Sequence, residues 1–225
     1  MKKTLFILMF SLSGLTMVAQ DCKNYIYLQN NKTVEMTIYN KKGDPNGKQV
    51  YKIADVSTSG TTVTAHVNSE MFDKKGKTLT KASGNYKCDG GVMMVDMKMN
   101  IPAQQMEQFK NADVKAQDIY IEYPAVMNVG DKLKDGTLSM DIDNNGLKQS
   151  VNMIISERKV EGKESVTTTA GTWECFKISS KVKLTIKTMG VGIPMNFESM
   201  EWFAPGFGII KTESKSGGTA ITAIN

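Results

Sequence analysis

Few residues in this chain have side chains that do chemistry at neutral pH. His66 is the only histidine, and the cysteines are Cys22, Cys88 and Cys175. The sharpest spacing is "DIDNNG" at 141–146, where Asp141, Asp143, Asn145 and Gly146 match the first half of a calcium-binding loop. Such a loop closes with a bidentate carboxylate at its twelfth position. Counted from Asp141 that position is Asn152, a neutral residue. Asn-Gly between alternating apolar segments is a hairpin signal, so we read a turn here and expect no metal or cofactor. His66 lies on the polar side of "TTVTAHV". No serine stands in a G-x-S-x-G elbow, and neither H-E-x-x-H nor paired C-x-x-C occurs. "GVG" at 190–192 lacks the third glycine of a dinucleotide loop. Glu35, Glu70, Glu122 and Glu174 are scattered and read as solvated strand faces. No catalytic residue is assigned, and enzyme activity is not expected.

The unusual chemistry is apolar. The chain holds 16 methionines, many at inward positions of alternating segments. In "VMMVDMKMNI" (92–101), Met93, Val95, Met97, Met99 and Ile101 share one face, with Asp96, Lys98 and Asn100 on the other. "PAQQMEQFKNA" (102–112) is the one expected helix. It starts at Pro102 and sets Met106 and Phe109 a turn apart, over an opening in the sheet. With Met140 these residues form a candidate apolar ligand surface, since methionine lines adaptable pockets. The plainer reading is a core packed with Met in place of Leu.

The elements that would position this surface are strands. Val34, Met36 and Ile38 alternate with polar neighbours, as do Val63, Ala65 and Val67, then Leu138, Met140 and Ile142, then Val182, Leu184 and Ile186. "YNKKGDPNGKQ" (39–49) and "FDKKGKT" (72–78) share an aromatic–Asx–Lys–Lys–Gly pattern and read as two hairpin tips. "VEGKESVTTTAG" (160–171) is a hinge or another hairpin. No linker divides the chain. We expect an all-β, mainly antiparallel fold, a single curved β-meander of about eleven strands forming an open or half-closed barrel.

Residues 1–20 carry Lys2 and Lys3 followed by an apolar stretch from Thr4 to Val18, too short to span a bilayer. This reads as a cleaved export signal ending at Gln20 or Ala19, followed by one domain at 21–225. Asp21 precedes Cys22 where a lipidated cysteine needs a small residue, so no lipid anchor at Cys22 and no transmembrane segment in the mature chain are expected. Periplasm and cell exterior both fit. In an oxidising compartment Cys22 and Cys88, both at element ends, are the candidate disulfide, with Cys175 buried; three free thiols are the alternative. The formal charge of +5 falls by two without Lys2 and Lys3, and Arg158 is the only arginine. That excludes a nucleic-acid footprint. The expected partner is a lipid or other apolar ligand, or an envelope protein.

"DIYIEYPAVMNVGDKLKD" (118–135), "TTAGTWECFKIS" (168–179) and "EWFAPGFGIIKTES" (201–214) resemble the TapB-like family of exported bacterial proteins. That group is related to a larger domain-of-unknown-function family of periplasmic β-proteins. The match is most specific at Trp202, Phe203, Ala204, Pro205, Gly206 and Gly208. The resemblance implies a curved antiparallel sheet similar to the half-barrels of lipoprotein carriers, and it implies no catalytic residue.

Overall fold

The computed structural model describes residues 22–100, 113–116, 120–144 and 147–225. The export signal and the 102–112 segment, with Ile101, Met106 and Phe109, lie outside the described residues. Among those described, thirteen strands form one antiparallel sheet. They are β1 (Thr33–Asn40), β2 (Pro45–Ser59), β3 (Thr62–Asp73), β4 (Thr78–Asp89), β5 (Val92–Asp96), β6 (Asp113–Ala116) and β7 (Tyr120–Tyr123). Then follow β8 (Gly136–Asn144), β9 (Leu147–Thr168), β10 (Gly171–Thr188), β11 (Val191–Ala204), β12 (Gly208–Ser214) and β13 (Gly217–Ile224).

The order across the sheet is β6-β8-β9-β10-β11-β12-β13-β1-β2-β3-β4-β5-β7. Consecutive strands pair from β1 to β5 and from β8 to β13, so the meander holds over both runs, while β7 joins β5 and β6 joins β8; the strands number thirteen rather than about eleven. Its two chain ends meet in the middle of the sheet, where β1 pairs β13 from Val34↔Ile224 to Asn40↔Gly217. The free edges therefore fall in mid-sequence, at β6 and β7, and the strand twist curls the sheet into a half-closed barrel. Across the opening, side chains replace the ladder. Arg158 Nη1 donates to the carbonyls of Glu122 and Lys134, both at 2.9 Å. Lys134 Nζ meets Glu122 Oε1 at 2.7 Å.

Alternation places the core as expected. Val34, Met36, Val63, Ala65, Val67, Leu138, Met140, Ile142, Val182 and Leu184 are all buried. The two Lys-Lys-Gly tips share one mechanism. Asn40 Oδ1 accepts the Lys42 and Asp44 amides at 2.8 and 3.0 Å. Asp73 Oδ1 accepts those of Lys75 and Lys77 at 2.8 and 2.9 Å. In each tip the left-handed position falls to glycine, Gly43 or Gly76. The 160–171 stretch is a hairpin, since Thr168 pairs Gly171.

One expected strand is shorter than its pattern. β5 stops at Asp96, and Met97–Asn100 form a 3-10 turn. Asp96 is fully buried rather than on a wet face. Its carboxylate turns inward because it caps that turn, accepting the Lys98 amide at 2.9 Å and pairing with Lys98 Nζ at 3.3 Å.

Candidate functional site in the barrel interior

One end of the barrel is filled by the segment that follows the expected export signal. Two 3-10 turns, Cys22–Asn24 and Ile26–Leu28, bring Tyr25, Ile26, Tyr27 and Leu28 into the core. Four links hold this plug. Cys22 forms a disulfide with Cys88 of β4. The Tyr25 hydroxyl donates to the Gly91 carbonyl at 3.2 Å. The Ile26 amide donates to the Phe207 carbonyl at 3.2 Å. The Tyr27 ring lies against Gly208, where a Cβ would come within 2.8 Å of its Cδ2. The Pro205–Gly208 turn is thus shaped to seat the plug, and Gly208, with φ of 127°, has no room for a side chain.

The plug completes an aromatic cluster. Tyr27 meets Tyr51 edge-on with centroids 5.6 Å apart and lies 5.2 Å from Tyr86. Phe203 stacks on Tyr123 at 4.4 Å, almost parallel. Burial pushes the Tyr27, Tyr86 and Tyr123 hydroxyls well above their ordinary range. At Tyr123 the Glu201 carboxylate adds to that shift while Arg158 opposes it. The Tyr123 hydroxyl donates to Glu201 Oε2 at 2.8 Å, and the Arg158 guanidinium sits 4.9 Å from the centre of the Tyr123 ring.

Beside this cluster lies a cavity of about 70 Å³, lined by Tyr27, Tyr51, Tyr86, Met93, Val95 and Met99 together with Glu201 and Phe203. Three residues of the expected apolar surface, Met93, Val95 and Met99, therefore come together here. Met97 is buried behind them, its Sδ against Gly136. Met140 is buried on β8, opposite Val151. The volume is about that of two water molecules, well under the roughly 300 Å³ at which drug-sized pockets begin. Met99 is only partly buried, and its flexible thioether makes it the movable wall.

The tyrosines, Glu201 and Arg158 were not singled out from the sequence. Tyr51, Tyr86 and Tyr123 each share parity with a core residue two positions away, namely Ile53, Cys88 and Ile121, and that was the available signal. Arg158 had none. A break in pairing opposite Ser180 and a left-handed Glu157 (φ 53°) shift the parity of β9 and turn Arg158 inward.

A larger groove of about 1020 Å³ crosses β9 to β12 on the wet side of the sheet. Several of its charges pair within it. Lys159 meets Glu161 at 2.9 Å, and Lys181 meets Glu157 at 2.7 Å. Ser179 Oγ donates to Glu161 Oε1 at 2.7 Å. Lys159 and Ser179 together hold the Glu161 carboxyl below the usual range.

The remaining chemical candidates separate. β8 and β9 pair as far as Asn144↔Leu147, so Asp141 and Asp143 lie in a strand ladder and Asn152 faces Ser139 across it, while Asn145 and Gly146 lie outside the described residues. His66 Nδ1 lies 3.2 Å from Asn85 Oδ1. Cys175 is a buried free thiol that burial, aided by Glu174 and Glu164, pushes up to about 12. Among the described residues no group of three His, Cys, Asp or Glu side chains is placed to hold a metal ion. No helix among them is long and apolar enough to cross a membrane.

Fold and interior define a half-closed antiparallel barrel with an aromatic, methionine-walled interior. The chain belongs to the DUF3108-like family, whose model matches residues 29–221. The fold is similar to that of a candidate exported protein with a YmcC-like fold from Bacteroides fragilis NCTC 9343. That likeness has a TM-score of 0.68 at 22% identity and covers 88% of this chain and 96% of that one. It is also similar to a candidate lipoprotein from Parabacteroides distasonis ATCC 8503, with a TM-score of 0.71 at 17% identity, over 90% and 98% of the two chains. No curated protein matches the chain.

Proposed function

We propose that this is an exported, non-catalytic protein of the cell envelope whose barrel interior receives the apolar end of a ligand such as an acyl chain. The observation that carries this reading is the interior cavity, where Met93, Val95 and Met99 meet the Tyr27, Tyr51 and Tyr86 rings. A space of about 70 Å³ takes a chain end rather than a whole lipid, so displacement of Met99 would admit the rest. Export is supported by the Lys2–Val18 signal pattern, by the Cys22–Cys88 disulfide, which suits an oxidising compartment, and by the descriptions of the two structural neighbours. The mature chain is read as one domain at 21–225, without a lipid on Cys22 because Asp21 precedes it. The closer TapB-like kinship rests on the quoted motifs alone. The non-catalytic reading is supported by the neutral Asn85 beside His66 and by the buried, protonated Cys175.

A second reading, an interaction protein working through sheet edges and hairpin tips, is favoured by exposed apolar side chains on the β10–β11 hairpin. Methyl-labelled methionine NMR separates the two. With decanoate as the probe, the interior reading expects shifts at the Met36, Met93 and Met99 methyls. Shifts confined to Met189 and Met195, or none, would sink it.

A further inference from the structure

We infer that the β10–β11 hairpin is an interfacial element that lays its apolar face on an anionic lipid bilayer. Its tip exposes Met189 and Val191, each at 78%, with Met195 at 42% and Phe197 at 43% further along β11. Val191, Met195 and Phe197 share one face of β11 by alternation, the face that Leu184 and Val182 occupy on β10, because Leu184 pairs Met195 and Val182 pairs Phe197. On β10 those two side chains are buried. The core face of the sheet therefore runs on past its cover and emerges as an apolar strip, the kind of surface that marks an interaction site.

Three observations choose the occupant. First, charge: residues 181–197 contain Lys181, Lys183 and Lys187 and no carboxylate. Lys181 is paired with Glu157, while Lys183 and Lys187 stand exposed on the face opposite the strip. An apolar face backed by lysines is the arrangement of an element lying in the headgroup plane of an anionic membrane. Second, the edge: among the described residues, β11 meets β12 only from Ser199 onward, so 191–198 pair with β10 alone. Pro194 sits in the middle of that free edge and removes an amide donor. That guards the edge against an added strand, which argues against a second copy or an extended peptide. Third, the turn: Met189 adopts a left-handed φ of 51° ahead of Gly190 at 83°. Asn or Asp would suit that position better, and local misfit of this kind marks functional positions. An exposed methionine there gains from an apolar medium.

The inference draws on the export reading only for where in the cell the bilayer is met. The test uses the purified mature chain and sedimentation with vesicles of phosphatidylglycerol or of phosphatidylcholine. Wild type should partition at least tenfold more strongly onto phosphatidylglycerol. Met189→Asn/Val191→Thr should lower that partition at least tenfold without loss of thermal stability, and Lys183→Glu/Lys187→Glu should erase the lipid preference. Failure of wild type to bind, or equal binding by wild type and the tip variant, would overturn the inference. So would a dimer in ultracentrifugation that the tip variant dissolves while vesicles bind neither protein. A chain retained in the cytoplasm on cell fractionation would overturn the export reading and leave the vesicle result standing.

Discussion

The Cys22–Cys88 disulfide fixes the plug that walls the interior, and its contribution follows from chain length. It spans 66 residues of sequence. Closing a loop of that size in the unfolded chain removes entropy worth about 4 kcal/mol at room temperature. Cys22→Ala/Cys88→Ala is the appropriate variant, because both sulfurs are buried and serine would add an unsatisfied hydroxyl. The variant should lose about 4 kcal/mol in equilibrium urea unfolding, with a melting temperature lower by roughly 8–16 °C for a chain of this size. Its denaturant slope should rise somewhat, because the unlinked chain exposes more surface on unfolding. Reductant should bring wild type to the same midpoint. A loss under about 1 kcal/mol, or a wild-type midpoint indifferent to reductant, would mean that the bridge does not stabilise the fold through loop closure.

Three further outcomes are expected. The Tyr27, Tyr86 and Tyr123 hydroxyls stay protonated in the folded barrel, whereas the unfolded chain titrates near about pH 10. Stability should therefore be complete below that pH and fall as pH rises through it. Tyrosine ultraviolet absorbance should show these rings ionising together with loss of β circular dichroism, and ionisation of all seven tyrosines in an intact fold would contradict this. Gly208→Ala should destabilise by about 2 kcal/mol, read by urea unfolding, because its Cβ would collide with Tyr27; an unchanged midpoint would mean the plug does not sit there. Cys175, with its thiol pushed up to about 12, should resist iodoacetamide at neutral pH and label once in urea, so labelling of the native protein would count against its burial.

Much of the fold is legible in the sequence because an antiparallel sheet with one buried face writes its pattern at period two. Val63, Ala65 and Val67 show it directly, and the Asx–Lys–Lys–Gly tips encode their own turn geometry. What stayed hidden depends on partners distant in sequence. Nothing local marks Thr33–Asn40 as the partner of Gly217–Ile224, a pairing that moves the sheet edges to mid-chain. Asp96 reads as a wet strand position until its carboxylate is seen capping the next turn. Arg158 falls, by strict alternation, on the face opposite Met153 and Ile155, until the irregularity in β9 turns it inward. The candidate site was half legible. Met93, Val95 and Met99 follow from alternation, whereas Tyr25 and Tyr27 lie in a short irregular segment with no period to expose them.

We propose that the interior of this barrel receives an apolar ligand. The most direct measurement is native mass spectrometry, with lipid extraction, of the protein purified from its own envelope fraction. A bound apolar species should survive gentle ionisation, be recovered in the organic phase, and be lost when Val95→Phe fills the cavity of a folded variant. A protein that arrives at its bare chain mass, with an empty organic extract, would contradict it.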